Sequence, residues 1–298
     1  MMKRLQVFFA SDEFFFPHLA TAVQSLLENN QKANFDIHVI HSGIQSTFWD
    51  KLRRVVDCYS LSQLHNHLID DHFLKGLKVN EHFKVSNYYR LFVETLSDSD
   101  KVLYLDSDII VLGDITGLFE VDLKDHFVMA VKNPGFRRHA SLGMKETSDY
   151  FNSGVLLINV EKWKKNQVCS RVVEFVDQNP KVILFVDQCG LNSIIDGAWK
   201  KMPPKYNLQS LFFGEDSERF LAAFEKKEME DSLKNPVIVH FTGVFKPWNY
   251  GVKHPYRKEY WKYRNRTPFK SLFSDDFSLR RVVSFWMPKS LKKKLRGG

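Results

Sequence analysis

Six short apolar runs recur along the chain, Leu5–Ala10, Phe35–His41, Lys101–Leu105, Phe127–Val131, Gly154–Asn159 and Val237–Phe241. Between several of them lie stretches of helical period: Leu19–Leu27, Phe48–Val56, Val85–Leu96, Val168–Val176 and Gln188–Ile195. Runs such as Val102-Leu103-Tyr104-Leu105 are continuously apolar instead of alternating with polar residues, the pattern of strands covered by helices on both faces. Strands of this kind alternating with helices predict an α/β fold, whose ligands gather at the carboxyl ends of the strands. Chemistry is therefore expected where apolar runs stop. The charge-dense stretch Gly214–Lys234 reads as a solvated surface helix without a functional role.

The chain has 298 residues, 44% of them hydrophobic, enough to bury a substantial core. Its formal charge of +8 conceals an asymmetry: residues 246–298 carry +12 and residues 1–245 carry −4. A mildly acidic body disfavours a nucleic-acid-binding core, so no nucleic-acid partner is expected. Cys58, Cys169 and Cys189 form neither an even set nor a CxxC pair, which argues against a disulfide framework or a zinc knuckle and fits a reducing cytoplasm. The apolar run after Lys3 and Arg4 is too short for a signal peptide, and none approaches a membrane span.

The most informative stretch is Lys101-Val-Leu-Tyr-Leu-Asp106-Ser107-Asp108, followed by Ile-Ile-Val-Leu. If the chain stays extended through Asp108, the two aspartates share a face and Ser107 turns away. At about 6 Å separation and an effective dielectric near 20, two carboxylates repel by about 3 kcal/mol, which calls for a raised pKa or a cation between them. Hard oxygen donors suit magnesium or manganese. An isolated Asp-x-Asp is more often a solvated turn, but one held between two apolar runs is not ordinarily left unpaired.

With four further motifs in the same order, the sequence resembles the retaining glycosyltransferases of family 8, the group of bacterial lipopolysaccharide galactosyl- and glucosyltransferases and glycogenin. The motifs are Val7-Phe-Phe-Ala10-Ser11-Asp12-Glu13, Ser86-Asn87-Tyr88-Tyr89-Arg90-Leu91, the aspartate pair, Tyr150-Phe151-Asn152-Ser153-Gly154-Val-Leu-Leu-Ile-Asn159 continued in Asp187-Gln188-Cys189-Gly190-Leu191-Asn192, and His240-Phe241-Thr242-Gly243-Val-Phe-Lys246-Pro247-Trp248. The resemblance implies a single nucleotide-sugar-binding domain of the GT-A type over residues 1–270, with a mixed, mostly parallel central sheet flanked by helices. It implies that Asp106, Asp108 and His240 bind Mn2+, with Mg2+ as the alternative ion. Ala10 and Asp12 would line the nucleotide; Arg90 would reach donor sugar and diphosphate; Asn152 and Asp187 would hold sugar hydroxyls. Gln188 would lie beneath the anomeric carbon, and Ser107, Gly243 and Lys246 complete the substrate-binding set. Asp187, Gln188 and Lys246 are the residues expected to carry catalysis.

Two departures from the family pattern matter. Phe14 stands where a polar residue often sits, Cys189 replaces a third acidic or polar residue, and a carboxylate nucleophile at that position is accordingly missing. The implied activity is metal-dependent transfer of galactose or glucose from UDP-galactose or UDP-glucose to a glycan, with retention. The alternatives are hydrolysis of the nucleotide sugar and non-catalytic binding of it.

The basic excess lies largely outside these motifs. In residues 271–298, Leu279, Val282, Val283, Trp286 and Met287 fall on one helical face beside Arg280 and Arg281, and Lys289, Lys292, Lys293, Lys294 and Arg296 follow Pro288. Such an amphipathic segment can lie on an anionic membrane, the alternative being a helix docked on its own domain. The expected location is the inner face of the cytoplasmic membrane, with a lipid-linked saccharide such as lipopolysaccharide core as acceptor. The polar stretch from Lys132 to Asp149, with Arg137 and Arg138, is the candidate acceptor-side lid.

Overall fold

A computed structural model describes residues 4–79 and 83–278. Its strands are β1 Leu5–Ala10, β2 Phe35–His41, β3 Gln63–Leu68, β4 Lys101–Leu105, β5 Ile109–Val111, β6 Val128–Lys132, β7 Phe151–Asn159, β8 Lys200–Lys201, β9 Leu208–Gln209 and β10 Ile238–His240. Seven form the central sheet in the order β3-β2-β1-β4-β7-β6-β8, and β5-β10-β9 form a second, smaller one. Within the central sheet β7 runs antiparallel to both neighbours, while the other pairings are parallel. The sheet is thus mixed and mostly parallel, as expected.

The reason for the continuous apolar runs is visible in β1 and β4. Phe8, Val102 and Tyr104 enter the core on one face of the sheet, while Val7, Phe9, Leu103 and Leu105 enter a separate core on the other. Helix Val186–Ile195 packs into the first and helices Phe16–Asn29 and Ser46–Val56 into the second. The segment expected as one helix over Val85–Leu96 is instead a 3-10 helix, Val85–Phe92, followed by a single α turn, Val93–Leu96. The stretch Gly214–Lys234 splits into two helices, Ser217–Leu221 and Lys226–Lys234, with Met229 buried.

Strand β3, Gln-Leu-His-Asn-His-Leu, carries no apolar run because it is an edge strand with one side open. Its His65 stacks on His38 of β2, which stacks on Phe8 of β1, at centroid separations of 4.5 and 4.3 Å. Asp36, His38 and His65 come within 4.8 Å of one another. However, the His38 and His65 rings are 13° from parallel, so their in-plane lone pairs do not meet at one point, and Asp36 is paired with Arg4 at 2.7 Å. This group reads as an aromatic ladder, not a cation site.

Burial, reinforced by His65 and His67, holds His38 neutral down to about 3. The unfolded chain takes up that proton near the ordinary value of 6.5, so stability is lost as pH falls from about 6.5 toward 3, by up to about 1.4 kcal/mol per pH unit. His38→Phe keeps the stack and removes the proton site. Urea unfolding should then depend less on pH between about 7 and 5 than it does in the wild type; equal slopes would exclude His38 as the cause.

Candidate active site

The aspartate pair sits where the chain passes from one sheet to the other. The ladder between β4 and β7 continues one residue past β4, with Asp106 N–H donating to Gly154 C=O at 2.8 Å. The chain then turns at Ser107 and Asp108 instead of staying extended, and enters β5. Ser107 is buried, its hydroxyl donating to Ala10 C=O at 2.8 Å, so it ties the end of β1 to the turn. The two aspartates converge because the turn folds them toward His240, the last residue of β10, which pairs with Ile109 of β5. His240 Nε2 lies 3.2 Å from Asp108 Oδ1 and 3.7 Å from Asp106 Oδ2.

Lys246, in the loop beyond β10, reaches back to Asp108 and donates to Phe241 C=O at 2.6 Å. Burial pushes the Asp108 carboxyl up, but the Lys246 ammonium and His240 outweigh it and hold the group ionised well below the usual range. Gly243 opens this loop at φ +80°, a conformation side chains resist. The loop is clamped from behind: Asp275 N–H donates to Trp248 C=O at 3.0 Å. Asp276 accepts from Tyr250 N–H at 2.7 Å and from the Asn249 side chain at 3.1 Å.

Arg90 is fully buried. Its guanidinium contacts Asp106 Oδ1 and Asp187 Oδ2, each at 2.9 Å, donates to Ser153 C=O, and lies 4.6 Å from the centre of the Tyr104 ring. A helical pairing with Glu94 does not form: the 3-10 geometry turns Arg90 inward, and Glu94 accepts from Cys169 N–H at 3.2 Å. Burial lifts Asp187 to about 6 even though Arg90 pulls it down.

Not every site residue lies at a carboxyl end. Because β7 is antiparallel, its amino end, Asn152-Ser153-Gly154, arrives beside Asp106. The Asn152 side-chain amide and the Ser153 backbone N–H both donate to Gln188 Oε1, at 3.2 and 3.0 Å, which brings the start of helix Val186–Ile195 to the same place. Asp12 accepts from Phe15 N–H at 2.9 Å, and Phe14 beside it is 71% exposed. Cys189 points the other way, to Tyr150 Oη at 3.4 Å, and burial pushes its thiol up. In the candidate lid, Phe136 is buried against Tyr150 with ring centres 3.9 Å apart, while Arg137 and Arg138 are exposed.

Sequence reasoning missed Asn207, which is fully buried and touches both His240 Nδ1 and Asn152 Oδ1 at 2.9 Å. It precedes a two-residue strand in a segment with no periodic pattern, and only its position before the hydrophobic Leu208 marked it.

The donor set fits a divalent cation. Two carboxylates and one imidazole converge within 4.8 Å, donors that a divalent cation accepts. The space beside them is kept by Gly154, where a Cβ would fall 2.2 Å from His240 Cε1 and 2.5 Å from Asp106 Oδ2. Gly154→Ala should therefore displace His240, lower turnover about 100-fold and destabilise the fold by about 1–3 kcal/mol through overpacking. Wild-type turnover in that variant would mean that His240 does not need its present position.

Residues 6–251 match the sequence profile described as Glycosyl transferase family 8. The chain belongs to glycosyltransferase family 8. Among its relatives, general stress protein A of Bacillus subtilis (strain 168) is 29% identical over 269 residues, 88% of this chain and 93% of that protein. The lipopolysaccharide 1,2-glucosyltransferase of Escherichia coli is 28% identical over 273 residues, 88% of this chain and 78% of that one. Other curated relatives are longer, and the chain spans less than two thirds of their length. The fold is also that of the galactosyltransferase LgtC, solved in complex with donor and acceptor sugar analogs: TM-score 0.78, 22% identity, covering 97% of this chain and all of that one. Family 8 membership makes the chain a glycosyltransferase of GT-A fold.

Proposed function

We propose that the chain transfers galactose or glucose from UDP-galactose or UDP-glucose to a glycan acceptor, with retention of configuration and dependence on Mn2+, Mg2+ being the second choice. The observation that carries this reading is the convergence of Asp106, Asp108 and His240 on one point beside Lys246 and the buried Arg90–Asp187 pair. Asp106, Asp108 and His240 would hold the ion, which when bound supplies Lewis-acid stabilisation of the departing diphosphate.

The rest falls to the chain's own groups. Lys246 and the Gly243 backbone meet the negative charge that develops on the diphosphate as the bond from anomeric carbon to phosphate oxygen breaks. Ala10 and Asp12 line the nucleotide, and Asn152, Asp187 and Gln188 orient the sugar. Asp187 is engaged by Arg90 and by Ser153 Oγ at 3.2 Å, Gln188 is an uncharged amide, and Cys189 faces away. None is a ready nucleophile, which supports attack by the acceptor hydroxyl on the face the diphosphate leaves, its proton passing to a phosphate oxygen of the leaving group.

Residues 271–298 are proposed to hold this body at the anionic inner face of the cytoplasmic membrane, beside a lipid-linked acceptor such as lipopolysaccharide core. The amphipathic pattern beginning at Leu279 lies outside the described residues. Support comes from the exposed Leu272 and Phe273 and the partly exposed Phe277 that lead into it, and from the name of the Escherichia coli relative. No helix among the described residues is long and apolar enough to cross a membrane.

The deciding experiment incubates the protein with each UDP-sugar, with and without Mn2+ and a lipopolysaccharide-core acceptor, and assigns the product anomer by NMR. Free hexose alone would identify a hydrolase, and binding without turnover a non-catalytic protein. Flotation with anionic vesicles, before and after truncation following Ser278, tests the membrane attachment.

A further inference from the structure

The orientation of the amides around His240 can be deduced from the backbone. Gly154 N–H can only donate, and its partner at 3.0 Å in the Asn152 side chain is therefore the carbonyl oxygen. That same oxygen lies 2.9 Å from the Asn207 side chain, so Asn207 presents its NH2 there. The other end of the Asn207 amide is then its oxygen, an acceptor, and it faces His240 Nδ1 at 2.9 Å. Nδ1 must consequently carry a proton. Ser153 N–H fixes the far end of the chain in the same way: it can only donate to Gln188, whose Oε1 also accepts from Asn152.

We infer that Asn207 is a positioning residue that locks His240 with its proton on Nδ1. Of the two neutral tautomers, only the one with its lone pair on Nε2, the atom facing Asp106 and Asp108, fits this network, and His240 is joined through Asn152 to Gln188. Nε2 lies 3.2 and 3.7 Å from the two carboxylates, an arrangement satisfied by a cation, whether a proton or a metal ion, and not by a bare lone pair. Imidazole ligands are generally held by a hydrogen bond at the nitrogen that does not bind the ion, and loss of such a partner weakens binding about 10- to 100-fold. Here the partner is a neutral amide fixed by peptide N–H groups, so the lock exists before any ligand arrives. The inference rests on the metal-dependent reading above and names the residue that prepares the site for the ion.

The test uses the full chain, with Mn2+ affinity read from the electron paramagnetic resonance signal of the free ion and His240 protonation read from 15N NMR without metal. Asn207→Leu should weaken Mn2+ binding at least tenfold and let the His240 proton distribute over both nitrogens. Asn207→Asp still accepts from Nδ1 but loses the donor to Asn152 Oδ1, so it should keep the Nδ1 proton and bind Mn2+ more tightly than the leucine variant. Unchanged Mn2+ affinity in a folded Asn207→Leu variant would overturn the inference. So would a wild-type His240 lacking a proton on Nδ1, a measurement that stands if the leucine variant does not fold. Failure of the wild type to bind Mn2+ would instead remove the metal reading, and the 15N measurement would then decide the role of Asn207 alone.

Discussion

Asp108→Asn and Asp106→Asn should each lower turnover of the UDP-sugar by about 10³-fold at saturating Mn2+, which corresponds to about 4 kcal/mol of transition-state stabilisation. Each substitution removes one of the two carboxylates facing His240 among the described residues while keeping the size of the side chain. The fold should tolerate both. Asp106 shares Arg90 with Asp187, so the guanidinium keeps one carboxylate when Asp106 is neutralised. Lys246 lies only partly buried in its loop and can turn toward water when Asp108 loses its charge. Thermal melts should stay within a few degrees of the wild type, and titration with Mn2+ should show weakened binding. Near wild-type turnover by either variant at high Mn2+ would sink the assignment of the pair to the cation.

Arg90→Met should have the opposite balance, with a large loss of stability in addition to lost activity. Arg90 is buried between two carboxylates, and removing it leaves Asp187 in the interior without its counter-ion, held only by Ser153 Oγ; a buried charge stripped of its partner typically costs about 3–5 kcal/mol. The pH dependence identifies the orphan. Burial already raises Asp187 to about 6 with Arg90 in place, and without the guanidinium it must rise further. The unfolded chain releases that proton near the ordinary carboxylate value, so the folded state is disfavoured as pH climbs from about 4 through the folded value. The penalty in Arg90→Met should therefore be smaller near pH 5 than near pH 8 by urea unfolding. Equal penalties at the two pH values would show that Asp187 is not the group left behind. Arg90→Lys should recover part of the stability and little of the turnover, since an ammonium cannot fork between Asp106, Asp187 and Ser153 C=O.

The central sheet was legible because burial on both faces writes itself as unbroken apolar runs; β1, β2 and β4 begin and end where those runs do. What escaped was governed by pairing rather than burial. Strand β3 is a polar edge, and β8 and β9 are two residues each, held by neighbours that no local pattern names. The direction of β7 was equally hidden, because an apolar run reads the same whichever way it lies in the sheet, and that direction places Asn152 and Gly154 at the site by their strand's amino end. The five motifs located the parts of the site. They could not supply the bend at Ser107, which depends on β5 leaving for a second sheet, or Asn207, whose role is fixed entirely by partners 33 and 55 residues away.

The clamp made by Asp275 and Asp276 bears on where this protein can be divided. The family profile ends at residue 251, and a chimera joined there or at residue 270 would appear to carry every recognisable motif. It would nonetheless leave the Trp248–Tyr250 turn without its backing and Lys246 on a loose loop. A transplantable unit has to extend through Ser278, and exchange of tails between relatives should be made beyond that residue.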